Sequence, residues 1–289
     1  MKQELNFWVV GGDMRQEKLA QLLAEDGHGV HTFALERSGP IPGAERAGGL
    51  EGIRRADCVV LPLPVAGEGS MLNAPLSALE HPLEEIMAAL RPGQLLCGGR
   101  VTPAVRTLAA AHGLEIQDYL GREELAVANA VPTAEGAVQL AMEEMAVTLH
   151  HAQVLVLGFG RVGKITAHRM AALGARVTVA ARKYADLAWA EAYGYRTQHI
   201  RELAGYLCGF DLVVNTVPVR VLTRELLAEL PPTCLVLDLA SKPGGVDFES
   251  ASELGVRAIW ALSLPGKVAP VSAGAALRDT IYNMLSEFG

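Results

Sequence analysis

At 289 residues, half of them hydrophobic, the chain is long enough for two domains and apolar enough to bury a substantial core in each. A net charge of −7 and a pI near 5.6, with no basic block, argue against a nucleic-acid surface. The start, Met1 to Gly11, lacks the long apolar core of a signal peptide, and nothing approaches a membrane span, so a soluble cytoplasmic chain is the simplest expectation.

Along the first half, short apolar runs alternate with helix-like stretches. Phe7 to Val10, Val30 to Phe33, Cys58 to Leu63, Gln94 to Cys97 and Glu115 to Tyr119 read as strands. Gln16 to Glu25, Pro82 to Leu90 and Thr102 to His112 read as helices, the first with Leu19, Leu22 and Leu23 on one side. Ser38 to Gly52, rich in Gly and Pro, reads as a loop. Strands alternating with helices predict a parallel sheet covered on both faces.

A domain boundary is expected near Asn129-Ala130-Val131-Pro132-Thr133, where Pro132 punctuates and Thr133 can cap. Ala134, Ala137, Val138, Ala141, Met142 and Met145 then recur at helical spacing. Residues 1–130 are expected to form one α/β domain and 131–272 a second, with a final helix over 273–289 packing back on the first. No repeat or low-complexity segment is present, although the shared alternation is compatible with two structurally related halves.

The second half opens on the most informative stretch. Val154-Leu155-Val156-Leu157 feeds Gly158-Phe159-Gly160-Arg161-Val162-Gly163, followed by a helix-like segment from Arg161 to Leu173 and a second apolar run ending at Ala181-Arg182-Lys183. The first glycine of such a turn permits its tight bend, the second lets backbone approach a pyrophosphate, and the third lets helix and strand pack closely. Further strands are expected at Arg196 to Ile200, Asp211 to Val217, Cys234 to Leu239 and Val256 to Trp260. The predicted fold is therefore α/β, with two doubly wound domains, the C-terminal one a Rossmann dinucleotide-binding domain, and an interdomain cleft for substrate.

An NAD enzyme usually places Asp or Glu about 20 residues past the glycines, against the ribose hydroxyls. Here the strand end carries Arg182 and Lys183 instead, which can bind a 2′-phosphate, so NADP is favoured over NAD. The alternative is that both cations merely solvate a strand end. Asn215-Thr216-Val217-Pro218 closes the fourth strand of this domain, where its backbone would lie near the ribose and nicotinamide. An ordinary strand-end turn reads equally well there.

Other candidates sit at strand ends or at the expected hinge. Arg15, in Gly11-Gly12-Asp13-Met14-Arg15-Gln16, can hold a carboxylate, while Asp13 is either a helix N-cap or a proton acceptor. Glu135 is a general base or an acidic first-turn residue, and Asn129 and Thr133 are polar orienters. Ser241 and Lys242 follow the fifth strand. Lys267, in a Pro-Gly loop, is an anion binder or a solvent-facing lysine. No metal site is expected, because His150-His151 lacks ligands at metal spacing and the four cysteines form no Cys-x-x-Cys pair. Cys58, Cys97, Cys208 and Cys234 read as buried free thiols. All eight histidines lie at or before His199, which counts against a D-specific 2-hydroxyacid dehydrogenase, whose alcohol proton moves through a histidine of the later region.

Gly-Gly-Asp-Met-Arg-Gln at 11–16, Asn-Ala-Val-Pro-Thr-Ala-Glu-Gly at 129–136, the glycine turn at 158–163 and Leu-Pro-Gly-Lys-Val-Ala-Pro at 264–270 occur in that order. Together they resemble the family of the dipicolinate synthase A-subunit over nearly the whole chain. The resemblance implies oxidation of dihydrodipicolinate to dipicolinate with a nicotinamide cofactor, and a partner in the flavoprotein-like B-subunit of the synthase. It also implies a place in the mother cell of a sporulating bacterium; a homo-oligomer is compatible with it. On that reading Arg15, Lys242 and Lys267 meet the two substrate carboxylates, with Asn129, Thr133 and Ser241 orienting the ring. Glu135 or Asp13 takes the proton, or Lys242 assists. A nucleotide-binding subunit that supports a partner without chemistry of its own is the rival reading.

Overall fold

The computed structural model describes residues 4–67 and 69–288. The chain divides into two compact units, Met1–Ala128 with Ala269–Gly289, and Asn129–Val268. The first unit holds β1 (Asn6–Val10), α1 (Met14–Glu25), β2 (Gly29–Phe33), β3 (Glu45–Arg46), β4 (Cys58–Val60), α2 (Leu83–Ala89), β5 (Leu95–Gly98), α3 (Pro103–Ala111) and β6 (Ile116–Asp118). The division between units falls inside α4 (Glu123–Glu144). The second unit continues with β7 (Gln153–Leu157), α5 (Arg161–Ala172), β8 (Arg176–Ala181), α6 (Tyr184–Ala192), β9 (Arg196–His199) and β10 (Leu212–Asn215). It ends with α7 (Arg224–Leu227), β11 (Leu235–Asp238), α8 (Phe248–Glu253), β12 (Arg257–Trp260) and α9 (Leu264–Val268); α10 (Pro270–Phe288) belongs to the first unit.

Among the described residues each unit is built on a six-stranded parallel sheet, ordered β3-β2-β1-β4-β5-β6 in the first and β12-β11-β10-β7-β8-β9 in the second. Read from the first strand of each, both orders are 3-2-1-4-5-6, the doubly wound order that reverses beside the first strand. The wiring also repeats. Asp57 Oδ2 accepts from Asn6 N at 2.8 Å, and Asp211 Oδ2 accepts from Gln153 N at 2.8 Å, so a carboxylate ties down the start of each first strand. The two-residue strand β3 pairs His31 with Glu45 and Thr32 with Arg46, inside the stretch expected to be pure loop. Two residues on a sheet edge carry no readable alternation.

Alternation along β1 explains the first core. Trp8 and Val10 face one layer with Leu83, Ile86 and Leu96, while Phe7 and Val9 face another with Leu19, Leu23, Leu277 and Ile281. α10 lies close against α1, since a Cβ on Gly274 would stand 2.9 Å from Lys18 Cβ. Full burial of Leu277 or Ile281 contributes about 1.5–3 kcal/mol each. In the second unit Val154 and Val156 pack with Ala137, Ala141, Ala167 and Met170, and Leu155 and Leu157 with Val213, Val236 and Leu222. No helix among the described residues is long and apolar enough to cross a membrane.

Two expectations are corrected by helix boundaries. α4 begins at Glu123 and runs through Pro132, so Thr133 is no N-cap and Glu135 lies well beyond the first turn. Beside the proline the Thr133 hydroxyl donates back to Asn129 O at 2.7 Å. Lys267 lies in the short helix α9 and not in a loop: Lys267 N donates to Ser263 O at 3.3 Å, and Pro265 occupies a first turn that needs no amide proton from it.

Candidate dinucleotide site

The turn after β7 has the conformation its glycines suggest. Gly158 has φ +92°, and a Cβ there would stand 2.5 Å from Thr216 Oγ1. A Cβ on Gly163 would stand 2.2 Å from Gly158 O, so only glycine lets α5 approach its own strand this closely. Gly160 is the N-cap of α5, and no side chain caps the helix. Its own Cβ would meet nothing within 4 Å, which leaves an open approach to a helix N-terminus.

Beside the turn lies a cavity of about 390 Å³ lined by Gly158, Phe159, Ala181, Arg182, Lys183, Asp186, Val217 and Pro218, among others. It therefore joins the glycine turn to the ends of β8 and β10, the dimensions and chemistry expected for an adenosine half. Arg182 and Lys183 are exposed at its rim, where they could hold a phosphate. The strand-end reading missed Asp186. This carboxylate, in the first turn of α6, lines the same cavity and opposes an added phosphate. The open cap, the glycine cradle and this cavity fit a nicotinamide dinucleotide.

Asn215 and Thr216 turn their side chains into the protein. Thr216 Oγ1 donates to Leu157 O at 2.8 Å, holding the turn beside Gly158. Asn215 is fully buried; its Nδ2 donates to Asp238 Oδ1 at 2.7 Å and to Val217 O at 3.0 Å. Asp238, also fully buried, accepts from Ala240 N at 3.0 Å and Gly245 N at 2.8 Å. A Cβ on Gly245 would stand 2.2 Å from Asn215 Nδ2. This buried clasp fixes the cavity-lining turn at Val217 and the loop carrying exposed Ser241 and Lys242 as one body. Asp238 was legible as a strand end, but nothing in its spacing announced the clasp.

In the first unit the equivalent turn is closed. Asp13 caps α1, its carboxylate accepting from Arg15 N at 3.0 Å, while Gln16 Oε1 accepts from Asp13 N at 3.2 Å. The Arg15 guanidinium folds back on the same carboxylate, with Nη2 2.7 Å from Oδ2, and also donates to Leu63 O at 3.1 Å. Burial alone would push the Asp13 carboxyl up, but Arg15 beside it holds it below the usual range. Arg15 thus has its charge balanced internally, which weakens it as a ligand for substrate carboxylate. A further cavity of about 370 Å³ in this unit lies against Asn6 and Trp8, toward the amino-terminal half of β1.

Of the remaining candidates, the Thr133 hydroxyl donates to the backbone carbonyl of Asn129 within α4, and Glu135 is exposed, 3.6 Å from Arg169. Lys267 is exposed on α9. Among the described residues no group of three or more His, Cys, Asp or Glu could hold a metal. Cys58, Cys97 and Cys234 are buried, and burial pushes the Cys234 thiol up to about 12; Cys208 is exposed, against expectation, on a short turn over Leu207–Gly209.

Comparison with known proteins agrees with both halves of this picture. Residues 6–120 match the N-terminal domain of the dipicolinate synthase A-subunit, and residues 126–230 match the D-isomer specific 2-hydroxyacid dehydrogenase NAD binding domain. The dipicolinate synthase A-subunit of Bacillus subtilis (strain 168) is 32% identical over 286 residues, covering 98% of this chain and 96% of the relative. The crystal structure of the dipicolinate synthase A-subunit of Bacillus halodurans superposes with a TM-score of 0.90 at 31% identity, over 98% of this chain and 99% of that one. The Bacillus subtilis crystal structure gives 0.88 at 32% identity, over 100% and 98%. The second unit is thus a Rossmann NAD-binding domain of the dehydrogenase kind, which implies an oxidoreductase with a nicotinamide dinucleotide cofactor. The chain belongs to the family of the dipicolinate synthase A-subunit.

Proposed function

We propose that this chain oxidises dihydrodipicolinate to dipicolinate with NADP, working with the B-subunit of the synthase. The observation that carries this reading is kinship to a dipicolinate synthase A-subunit over 98% of the chain, joined to an uncapped helix N-terminus behind a glycine turn. Gly158, Gly160, Arg161, Val162 and Gly163 hold the pyrophosphate, and the Asn215–Pro218 turn bounds the ribose and nicotinamide side. Arg182 and Lys183 take the 2′-phosphate against the opposition of Asp186. A bound nicotinamide supplies a hydride acceptor.

A dihydropyridine becomes aromatic on losing a hydride and a proton, so positioning matters more than strong acid or base help. Lys242 and Lys267, exposed cations without an acid partner among the described residues, are better placed to meet substrate carboxylates than Arg15. Ser241 stands beside Lys242 on the clasped loop and orients the ring. The Thr133 hydroxyl is spent on the backbone carbonyl of Asn129 inside α4, which leaves Thr133 a supporting part and Asn129 the orienting side chain of the two.

The test is turnover of dihydrodipicolinate by the purified chain with NADP, read as NADPH formation and dipicolinate release, with and without the B-subunit. Turnover by the chain alone supports the catalytic reading. Dinucleotide binding without turnover, restored by no addition of the B-subunit, sinks it in favour of a supporting nucleotide-binding role.

A further inference from the structure

The cavity of about 370 Å³ in the first unit lies against the amino-terminal half of β1, at the opposite end of that strand from Gly11. Doubly wound sheets take their ligands beyond the carboxyl ends of the strands, so this cavity is separate from any site at the glycine turns. Its size suits a small molecule. Two residues of its wall each bury an unpaired polar atom. Trp8 Nε1, which can only donate, and Asn6 Oδ1, which can only accept, have no hydrogen-bond partner among the described residues. Trp8 is 2% exposed. Buried polar groups are nearly always paired, so each of these calls for a partner.

The fold itself does not ask for the indole nitrogen. The second unit has the same sheet order and the same carboxylate tie at the start of its first strand, yet aliphatic Leu155 stands where the first unit has Trp8. The indole is held in place by its neighbours. Strand register sets it beside His31, the two rings stacked with centroids 5.2 Å apart, and His31 Nδ1 lies 3.4 Å from Glu45 Oε2. Gly52, at φ +96°, brings the segment after β3 over the nitrogen-bearing edge of the indole, where a Cβ would stand 3.7 Å from Cζ2. Charges of both signs complete the wall, Arg46 and Arg55 against Glu45 and Glu51. Arg46 donates to Gly39 O, whereas exposed Arg55 has no acid partner among the described residues. The Glu51 carboxylate lies over Gly49, whose Cβ would stand 2.3 Å from Oε2.

We propose that this cavity binds a free α-amino acid. Its carboxylate accepts from Trp8 Nε1–H and from the Arg55 guanidinium, and its ammonium donates to Asn6 Oδ1 within the field of Glu45 and Glu51. A zwitterion is the small ligand that answers every feature of the wall at once. An anion alone sets oxygen lone pairs against Asn6 Oδ1 and two carboxylates. A cation alone has no acceptor for Trp8 and faces two arginines. The site is independent of the dehydrogenase reading, and all of its residues belong to the first unit.

Nitrogen-15 spectroscopy of the indole N–H groups in the full chain tests this, with the Trp8 signal assigned by its loss in Trp8→Phe and those of Trp189 and Trp260 as controls for the fold. The probes are the protein amino acids, added one at a time at millimolar concentration, beside acetate, ethylamine and inorganic phosphate. At least one amino acid is expected to move the Trp8 signal saturably, while acetate, ethylamine and phosphate leave it in place. Arg55→Ala, a change at an exposed side chain, is expected to weaken that binding by about 10-fold with the Trp189 and Trp260 signals unmoved. A Trp8 signal that no amino acid moves overturns the proposal. So does one that acetate or phosphate moves as far, which would mean an anion site only, or amino-acid binding that Arg55→Ala leaves unchanged.

Discussion

The turns that follow β1 and β7 begin alike and finish in opposite ways. Gly11 and Gly158 both take positive φ, +67° and +92°, and each donates its amide to the neighbouring strand, at Phe33 O and Ala180 O. Two residues on, the first unit has Asp13 where the second has Gly160; three further on, it has Gln16 where the second has Gly163. Asp13 and Gln16 form a capping box that consumes the helix N-terminus from within. Gly160 caps nothing, and Gly163 draws α5 against its strand. One sheet order therefore serves two ends: a helix terminus satisfied by its own side chains, and one left for an anion.

The largest effect is expected where the second turn is tightest. Gly163→Ala forces a Cβ against Gly158 O, a backbone atom that cannot swing aside, so NADP binding should be lost in calorimetry and stability should fall by about 1–3 kcal/mol. Next, Arg182→Ala should raise the Michaelis constant for NADP by roughly 10- to 100-fold, the loss of a charge-assisted phosphate contact, and leave that for NAD nearly unchanged. Equal effects on both cofactors would remove the 2′-phosphate assignment. Asp186→Asn should improve NADP affinity a few-fold, since it deletes the carboxylate of the cavity wall.

The first turn offers the smallest and most pH-dependent effect. Asp13→Asn should cost about 0.5–1 kcal/mol, because the ion pair with Arg15 is lost from a partly exposed carboxylate while asparagine still caps the helix. The folded carboxyl of Asp13 titrates below its unfolded value of about 3.9. Its contribution is therefore complete above that pH and is lost as pH falls through the lower, folded value. Thermal melts of wild type and Asp13→Asn should converge in acid; a gap that persists there would mean the ion pair is not its source.

Much of this contrast was legible in residue order. Aliphatic runs before Gly11 and Gly158 announced β1 and β7, and Asp13 at the head of an amphipathic helix carried the N-cap as one of its two readings. What escaped depended on contacts remote in sequence or on tolerance within a helix. Pro132 looked like punctuation, yet α4 runs through it from Glu123 to Glu144. Asp238 and Asn215 meet across two strands, 23 residues apart, and Asp186 reaches the cavity from a helix turn after the strand end. Glu36 accepts from Ala78 N at 3.4 Å, 42 residues further along the chain. No local pattern encodes such meetings.

The central claim, that the dinucleotide sits at the open N-terminus of α5, is tested most directly by writing the first turn into the second. Gly160 has φ −78° and ψ −162°, close to the extended backbone of Asp13 at −110° and −164°, and space for a side chain. Gly160→Asp should cap α5 with its own carboxylate and leave the melting temperature within about 2 °C. Isothermal titration with NADP should then show a Kd raised by about 100-fold or more, equivalent to about 2.7 kcal/mol. A Gly160→Asp chain that stays folded and binds NADP as tightly as wild type would contradict the account.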